Sequence, residues 1–517
     1  MAESLYSHMR AVTGGLVWLK SEVAGVLGEG AADPDDDPPR PALERFDFGK
    51  RTCAELVGAL EWFAASGDGK RLVIRDGGSL RVISAEHRDG GDGQEPVTVD
   101  LSRARFLADP QARRTHAFDQ AGRLMRHDFW VPDMAEVDWD GVLDTYRALL
   151  PRIRTAGDFA DLLGEVFGEL GSSHAYVGTT DRLSGPASPP LGYLGADLGQ
   201  AADGRWLVER VLPGESSDPR ARSPLSGPGA AVPAGVTLLE VDGQPVDPAL
   251  GPGPLLVGAA RKPVEITVSD GGQRRRVAVI PLASERRLRY QDWVASNRRQ
   301  VRELSGGQAG YLHVPDMMGE GWAHFHRDLR AEMALDMLVL DVRQNSGGHV
   351  SELVVEKLAR RIMGWSVGRG LQPGTYPRDV PRGPVVALTD EFAGSDGDMI
   401  TAALRILGLG PVVGTRTWGG VIGIDGWFRL VDGTVVTIPK YAMWLETYGW
   451  GVENHGVDPD VEVVISPADW AAGRDPQLAT AVRLATDALG ARPAARPPDT
   501  SARPSRRRPP LPPRAGQ

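Results

Sequence analysis

One short segment of the sequence has the residue types that acyl transfer to a serine requires. Gly394-Ser395-Asp396-Gly397-Asp398 follows the apolar run Val385–Thr389 and precedes a helical pattern. The flanking glycines permit a sharp backbone turn, and the first turn of the following helix would present free N–H groups. Position 393 is alanine, so this is not the Gly-x-Ser-x-Gly elbow of α/β-hydrolases. The segment predicts an exposed nucleophilic serine, although Gly-Ser-Asp-Gly is also a common surface turn.

A second candidate is the loop Asp341–Gly348, whose sequence is Asp-Val-Arg-Gln-Asn-Ser-Gly-Gly. The apolar run Met337–Val342 predicts a buried strand that leads into this loop. Glycine-rich loops of this kind expose backbone N–H groups, which bind a phosphate or an oxyanion. No Lys-Ser or Lys-Thr pair follows the glycines, as a nucleotide-binding P-loop would require. The loop therefore favours a donor to an oxyanion.

Strands and helices alternate over residues 286–488, which predicts an α/β domain that carries both loops. Helical patterns occur at Ser351–Arg361 and Gly397–Leu407. A last helix is predicted to begin at Asp475-Pro476, because aspartate is a good N-cap and proline suits the first helical position. Residues 489–517 are rich in Pro, Arg and Ser and predict a disordered tail, with a polyproline ligand as the alternative.

Two other domains are predicted before the α/β domain. Residues 113–185 have a helical period, with apolar residues at three- and four-residue spacing in Phe159–Phe167. The helical pattern ends at Gly171–Tyr176, which includes a serine and a histidine side by side. Residues 190–282 predict short strands with Gly and Pro turns. Within them Ala234–Gly243 resembles the strand-and-turn core of a PDZ domain, which pairs an extended peptide with an open sheet edge.

The N-terminal part of the chain predicts a linker and then short strands. Residues 1–40 hold one possible short helix followed by the acidic, Pro-rich linker Asp33–Pro39. In residues 41–110, Asp76-Gly77-Gly78 between two apolar runs predicts a hairpin, and Ser66–Lys70 resembles the turn of β-propeller blades. One or two blades cannot close a ring, so we interpret this part as a β-propeller remnant, with a small β-rich cap as the alternative. The predicted fold class is multidomain α+β: partial propeller, helical domain, PDZ-like domain and α/β catalytic domain.

Composition excludes several classes of protein. The net charge of −10 argues against nucleic acid as a partner, because phosphate binding requires a basic face. No stretch approaches the roughly 18 consecutive apolar residues of a membrane span, and Gly14–Leu19 is too short for a signal peptide. The single cysteine, Cys53, allows no internal disulfide and favours a cytoplasmic setting. The histidines at 324, 326 and 349 lack zinc-site spacing, so we expect no metal.

Three segments together resemble the C-terminal processing peptidases and their tricorn relatives. They are the loop at 341–348, the segment at 391–398 and Gly414–Gly420, which reads Gly-Thr-Arg-Thr-Trp-Gly-Gly. The domain order is also theirs, so the resemblance spans roughly residues 41–488. The processing peptidases use a lysine where this chain has Gly420. Tricorn proteases use a serine, a histidine, a serine and a glutamate, so the resemblance to that branch implies a serine endopeptidase.

Carried over residue by residue, the resemblance implies a catalytic tetrad. Ser395 would attack the scissile carbonyl, and His174 would accept its proton. Ser173 would hold the other imidazole nitrogen, and Glu453 would orient Ser173. Taken alone, His174 could equally be a structural histidine at a helix end.

The resemblance also implies where the oxyanion and the substrate would bind. The oxyanion would lie between the backbone N–H groups of Asp396 and Gly348, with Gly347 as a second candidate. A strand at Val421–Ile424 would line the substrate channel. No metal or organic cofactor is implied.

For the whole protein, the resemblance implies short unfolded peptides as substrates and assembly into a homo-oligomer, a hexamer. Two alternatives remain. The first is a catalytically silent scaffold that binds peptides through the PDZ-like domain. The second is a Ser-Lys processing peptidase whose lysine lies elsewhere in the chain.

Overall fold

The computed structural model describes residues 4–21, 40–86, 96–105, 107, 109–179, 189–215 and 221–508. The chain forms two compact units, each assembled from several segments. The first unit comprises residues 1–170, 175–293 and 425–438. The second unit comprises residues 171–174, 294–424 and 439–517. Every candidate site residue named above belongs to the second unit.

The first unit begins with two antiparallel sheets of four strands each. The strands are β1 (Leu5–Val12), β2 (Gly15–Ser21), β3 (Ala42–Asp47), β4 (Thr52–Val57), β5 (Trp62–Ala65), β6 (Arg71–Asp76), β7 (Ser79–Ser84) and β8 (Val97–Val99). Their orders are β1-β2-β3-β4 and β5-β6-β7-β8. One apolar cluster joins the two sheets, with Val17, Leu43, Leu72 and Ile74 fully buried. Four-stranded antiparallel sheets are the form of β-propeller blades, in agreement with a propeller remnant.

The short helix expected within residues 1–40 does not lie in residues 4–21, which form strands, and residues 22–39 lie outside the described residues. β1 and β2 form a hairpin, in which Ala11 pairs with Leu16 and Val12 with Gly15. The central strand β2 pairs with β3 on its other side, so its run of large apolar residues is buried by sheet packing instead of by a helix face. The acidic linker Asp33–Pro39 lies outside the described residues.

The two turns predicted in this region are confirmed. β6 and β7 pair from Arg71 with Ser84 to Asp76 with Ser79, and Gly77 and Gly78 form the hairpin turn. In the preceding turn, the Ser66 hydroxyl donates to the Asp68 carboxylate at 2.6 Å. Short polar side chains that bond within their own turn stabilise such connections.

A helical segment follows, as predicted. It contains α1 (Pro110–Asp128), α2 (Trp139–Arg147), α3 (Ala156–Gly168) and the short strand β9 (Val177–Gly178). The helices enclose a core that includes Phe118, Trp139, Phe159 and Phe167, each 2% exposed or less. Thr155 caps α3 through a capping box with its third residue, which fixes the start of that helix.

The PDZ-like part of the first unit is a six-stranded antiparallel sheet. Its strands are β10 (Ala196–Gln200), β11 (Trp206–Val211), β12 (Thr237–Val241), β13 (Gln244–Pro245), β14 (Val264–Asp270) and β15 (Gln273–Val279). The order is β10-β11-β12-β14-β15, with β13 paired to β12. The predicted strand and turn within residues 234–243 correspond to β12 and the turn into β13. Helix α4 (Arg286–Leu304) follows this sheet.

The remaining strands of the chain are β16 (Ala309–His313), β17 (Met337–Asp341), β18 (Gly364–Ser366), β19 (Gly374–Tyr376), β20 (Val385–Thr389), β21 (Val412–Gly414), β22 (Phe428–Arg429), β23 (Val435–Val436) and β24 (Val461–Glu462). The second unit is built on a parallel sheet of five of them, in the order β16-β17-β20-β21-β24. β22 and β23 belong to the first unit, where β23 pairs with β9. Every residue of β16, β17 and β20 is buried, which confirms the two buried strands predicted from apolar runs.

Helices alternate with the parallel strands. They are α5 (Gly319–Met333), α6 (Ser351–Leu358), α7 (Asp396–Ile406), α8 (Pro467–Ala471) and α9 (Pro476–Ala491). The predicted N-cap of the last helix is confirmed, since the Asp475 carboxylate accepts the Leu478 N–H at 2.8 Å. α6 follows β17 and α7 follows β20, so both candidate loops lie at the carboxyl ends of neighbouring parallel strands. Ligand sites in parallel α/β sheets form at this edge.

A buried charged network holds the first of these loops, at the end of β17, to the start of α9. Asp341 is fully buried, and its carboxylate accepts the Tyr311 hydroxyl at 2.8 Å and the Arg343 guanidinium at 2.6 Å. Arg343 also pairs with Asp475 at 2.8 Å. Nearby positive charge keeps the pKa of Asp341 below its usual range even though burial acts to raise it.

The disordered tail predicted for residues 489–517 is wrong at its beginning. α9 continues to Ala491, and the Ala495 N–H donates to the Arg382 carbonyl at 2.8 Å. Arg496 pairs with Asp336 at 2.7 Å. Residues 509–517, which hold most of the polyproline pattern, lie outside the described residues. Within the described ranges, no helix is both long and apolar enough to cross a bilayer.

Candidate active site

Ser395 lies at the start of α7 in a backbone conformation that serine rarely adopts. Its φ is 56° and its ψ is −116°, and such a conformation persists only where the surroundings enforce it. The preceding Gly394 N–H donates to the Asn345 carbonyl at 3.0 Å, and the Ser395 carbonyl accepts the Met399 N–H at 3.0 Å. Ser395 is the N-cap of α7, yet its side chain makes no capping hydrogen bond. Its hydroxyl is therefore not engaged by its own helix.

Two backbone N–H groups near Ser395 are not engaged. Those of Gly348 and Asp396 donate to no acceptor in the described part of the chain. Gly348 is held by hydrogen bonds on both sides, from the Met317 N–H to the Gly347 carbonyl at 2.7 Å and from the His349 N–H to the Met317 carbonyl at 2.8 Å. The Asp396 N–H is in the first turn of α7, where helical N–H groups have no intrahelical partner.

Gly347 is placed differently from its neighbour. Its N–H donates to the Asn345 side-chain carbonyl at 2.9 Å, so that donor is already engaged. A Cβ on Gly347 would lie 2.7 Å from the Ser395 Cβ, and its φ is 82°. Gly347 thus allows the close approach of the loop to Ser395. The Asp396 carboxylate is engaged as well, since it accepts the Ser351 N–H at 3.0 Å and thereby caps α6.

His174 is bonded to its neighbour as an oriented base would be. Its Nδ1 lies 2.9 Å from the Ser173 hydroxyl oxygen. The imidazole is half-buried, and burial lowers its pKa below 6.5 while the charge on Glu453 opposes that shift. His174 itself has a φ of 59°, so both halves of the site contain a residue in the left-handed region.

Glu453 accepts four hydrogen bonds from two other segments. Its Oε1 accepts the Ser173 N–H at 2.7 Å, and its Oε2 accepts the Ser173 hydroxyl at 3.1 Å. The N–H groups of Val421 and Ile422 donate to Oε2 at 2.8 and 3.1 Å. The adjacent Asn454 amide donates to the Gly171 carbonyl at 2.5 Å. Segments 280 residues apart in the chain are therefore joined within one unit.

The strand predicted at Val421–Ile424 is wrong. This segment belongs to no sheet; it has one isolated bridge, between Gly423 and Tyr441. The N–H groups of Val421 and Ile422 that a sheet would use are instead directed at Glu453.

Two residues of the site were not singled out from the sequence. The Trp418 ring centroid lies 5.5 Å from that of His174 in an edge-on arrangement, and a Cβ on Gly394 would lie 2.7 Å from the Trp418 ring. The indole therefore contacts the segments of both the serine and the histidine. A Cβ on Gly420 would lie 2.2 Å from the same ring, so with Trp418 in this position the backbone has no room for a side chain at 420.

The second site residue that was not singled out from the sequence is Asp398. It is fully buried and accepts the N–H groups of Gly419 at 2.8 Å and Gly420 at 3.2 Å. Burial raises its pKa, whereas the hydrogen bonds that it accepts oppose the shift. A sequence signal for it exists, because serine followed three residues later by an acidic residue is the pattern of a helix capping box.

Comparison with known proteins identifies the domains. Three family profiles match: peptidase family S41 over residues 308–463, the tricorn protease PDZ domain over residues 192–284, and the tricorn protease C1 domain over residues 110–168. The C1 match contains α1 to α3, the PDZ match contains β10 to β15, and the S41 match contains Ser395 and Glu453.

Similar proteins extend over nearly the whole chain. "Tricorn protease homolog 1" of Streptomyces coelicolor is 56% identical over 95% of this chain and 46% of its own length. The "Tricorn protease" of Thermoplasma acidophilum is 34% identical over 88% of this chain and 42% of its own length. A crystal structure of the tricorn protease superimposes with a TM-score of 0.83 at 31% identity, covering 94% of this chain and 46% of that one. The chain spans a little under half the length of these relatives.

Proposed function

Because the chain belongs to the tricorn protease family, we propose that it hydrolyses peptide bonds as a serine peptidase through a Ser395-His174-Ser173-Glu453 tetrad. The observation that carries this proposal is the hydrogen-bonded series from Glu453 through Ser173 to the Nδ1 of His174. A base oriented in this way can take a proton from a serine nucleophile, as in other serine peptidases.

In the proposed first step, the Ser395 Oγ attacks the scissile carbonyl carbon, and its proton passes to the Nε2 of His174. The negative charge that develops on the carbonyl oxygen is stabilised by the N–H groups of Gly348 and Asp396. His174 then gives the proton to the leaving amine, which leaves an ester on Ser395. Water hydrolyses this ester by the same route in reverse, with His174 again as base and then acid.

The electrostatics of the base suit both stages of this cycle. Burial lowers the pKa of His174, so the imidazole is neutral and able to accept a proton near pH 7. The carboxylate of Glu453, acting through the Ser173 hydroxyl, stabilises the imidazolium that forms after proton transfer. The proposed mechanism uses no metal or organic cofactor.

For the wider function, we propose short unfolded peptides as substrates, a cytoplasmic setting and a homo-oligomer, of which a hexamer is the form implied by the family. The PDZ-like domain supports peptides as ligands, since that fold pairs extended segments with a sheet edge. The Ser-Lys dyad of the processing peptidases is disfavoured at its usual position. That position is Gly420 in this chain, and the Trp418 ring occupies the space beside it.

A fluorophosphonate probe tests the proposal, since it labels activated serines. We expect labelling of the purified chain at Ser395, with complete loss in Ser395→Ala and nearly complete loss in His174→Ala. His455→Ala is the matched control, because this exposed histidine pairs with Asp458 and is not a member of the proposed tetrad. A folded chain that binds peptides but is not labelled would favour the silent scaffold. Labelling that survives His174→Ala would favour a Ser-Lys peptidase.

A further inference from the structure

Four consecutive backbone N–H groups of the second unit are shared between two carboxylates. Those of Gly419 and Gly420 donate to Asp398, and those of Val421 and Ile422 donate to Glu453. Asp398 lies on α7, whose N-cap is Ser395, whereas Glu453 accepts hydrogen bonds from Ser173, the neighbour of His174. A single segment, residues 419–422, thus connects the nucleophile to the base through two side chains.

Asp398 holds the start of α7 in place of the serine. It is the third residue of that helix. Burial raises the pKa of its carboxyl, and the Thr417 hydroxyl, the two glycine N–H groups and the Ser395 N–H oppose that shift. In a complete capping box the serine hydroxyl would also cap the helix, but the Ser395 side chain makes no such bond. The Ser395 hydroxyl is therefore left available for chemistry.

The burial of Asp398 requires an explanation beyond helix capping. The residue is fully buried, and an ionised carboxylate loses its hydration there unless several donors replace it. An N-cap interaction at a helix surface does not need that burial, as at Asp475 and Ser466, which cap α9 and α8 from less buried positions. The glycine donors of Asp398, at positions 419 and 420, directly follow Trp418, whose ring lies 5.5 Å from that of His174. The burial of Asp398 is therefore associated with the site and not only with the helix start.

We propose that Asp398 is a positioning residue for the nucleophile. Together with Glu453, it fixes Ser395 relative to His174 through the shared segment 419–422. The strained conformation of Ser395 needs such enforcement, and the carboxylate supplies it from inside the domain. This inference rests on the proposed function, because it assumes that Ser395 and His174 react together.

The test is a double-mutant cycle measured by the second-order rate of fluorophosphonate labelling. Asp398→Asn keeps the shape of the side chain but turns an amide toward backbone donors. We expect the labelling rate per folded molecule to fall about 100-fold, as expected for a small misplacement of reacting groups. With peptide substrates, kcat should fall while KM stays nearly constant. Because both carboxylates act through one segment, adding Glu453→Gln to Asp398→Asn should cost less than the product of the two single effects.

Glu332→Gln is the control for loss of a buried carboxylate. Glu332 is 4% exposed, accepts the Tyr311 N–H at 2.9 Å and pairs with Arg302 at 2.7 Å, so its loss also perturbs the parallel sheet. We expect this variant to lower stability while the labelling rate per folded molecule changes less than about twofold. Combined with Glu453→Gln, its effect on the rate should simply multiply.

The outcomes separate this inference from the proposed function. A wild-type chain that labels at Ser395, with Asp398→Asn labelling at the same rate per folded molecule, would overturn the inference alone. Strict multiplication of the Asp398→Asn and Glu453→Gln effects would also overturn it. A wild-type chain without labelling would overturn the proposed function and this inference with it. If Asp398→Asn does not fold, Asp398→Ser is the second variant, because its hydroxyl retains one acceptor oxygen. We expect it to label more slowly than the wild-type chain. A wild-type labelling rate would count against the inference.

Discussion

The two halves of the candidate site use the same devices but depend on the chain in different ways. On the nucleophile side, Ser395 has a φ of 56° and a carboxylate three residues later accepts two backbone N–H groups. On the base side, His174 has a φ of 59°, and the carboxylate of Glu453 accepts the backbone N–H groups of Val421 and Ile422 as well as that of Ser173. The nucleophile side is local to one helix start, whereas the base side joins segments 280 residues apart.

This difference indicates which side is more easily broken. A local turn is enforced by its own helix, so the loss of one partner leaves the other constraints in place. The orientation of His174 depends on Ser173, whose two bonds to Glu453 come from a distant part of the chain. We therefore expect substitutions of comparable size to affect the base side more.

The largest effects test whether both sides act as one unit. Ser395→Ala and His174→Ala should each lower kcat for peptide hydrolysis by about 10⁶, and the double variant should lose little more, because neither group acts without the other. Steady-state assays with a fluorogenic peptide measure all three. Two single losses that multiply in the double variant would show that the two residues do not act together.

A smaller effect compares the two carboxylates directly. Glu453→Gln should lower kcat by roughly 10² to 10⁴, because the amide would face donors from Ser173, Val421 and Ile422 and the imidazole would lose its orientation. Asp398→Asn should cost less in the same assay. If Asp398→Asn proves the more damaging of the two, the base side is not the more fragile one.

The next effect concerns the approach of the glycine loop to the nucleophile. Gly347→Ala would place a Cβ 2.7 Å from the Ser395 Cβ, and we expect a fall in labelling rate of about tenfold or more. Gly408→Ala is the matched control, since its φ of 60° gives similar backbone strain but its Cβ would meet nothing within 4 Å. Thermal unfolding should show a cost of about 1–2 kcal/mol for Gly408→Ala and a larger cost for Gly347→Ala, because only the second change adds a clash. Equal labelling rates in the two variants would contradict the steric role of Gly347.

The pH dependence of the labelling rate tests the base side while Ser395 is left unchanged. The pKa of His174 is lowered below 6.5 by burial, so the labelling rate should rise with pH through an apparent pKa below that value and then level off. Glu453 opposes the shift, because its negative charge favours the imidazolium. Glu453→Gln should therefore move the acid limb to still lower pH, and a movement to higher pH would contradict this arrangement.

The smallest effect is expected from the histidine two residues after Glu453. His455 and Asp458 form an exposed pair at 3.2 Å, and such pairs contribute at most about 1 kcal/mol. His455→Ala should change the labelling rate less than about twofold and leave the unfolding midpoint nearly unchanged. A large loss of activity would indicate that His455 belongs to the base side.

Some elements were predictable because their signals are local. The buried strands β17 and β20 follow from short apolar runs, and the start of α9 follows from an aspartate and a proline at its N-terminus. The N-terminal hairpin of β1 and β2 was not predicted, because a short apolar run has no period that separates a strand from a helix. The beginning of the tail was mistaken for disorder, because its bonds to Arg382 and Asp336 are made by residues more than 100 positions away.

The sequence by itself determined the residue types of the site and their grouping into motifs. The turn around Ser395, the glycine pair at 347 and 348, and the absence of a lysine at 420 are all properties of neighbouring residues. Only the tertiary structure decided which N–H groups are engaged, that Trp418 contacts the segments of both serine and histidine, and that Asp398 and Glu453 share one segment. The physical reason is that a hydrogen bond depends on distance and angle in space, and these are set by packing between segments that the linear order leaves far apart.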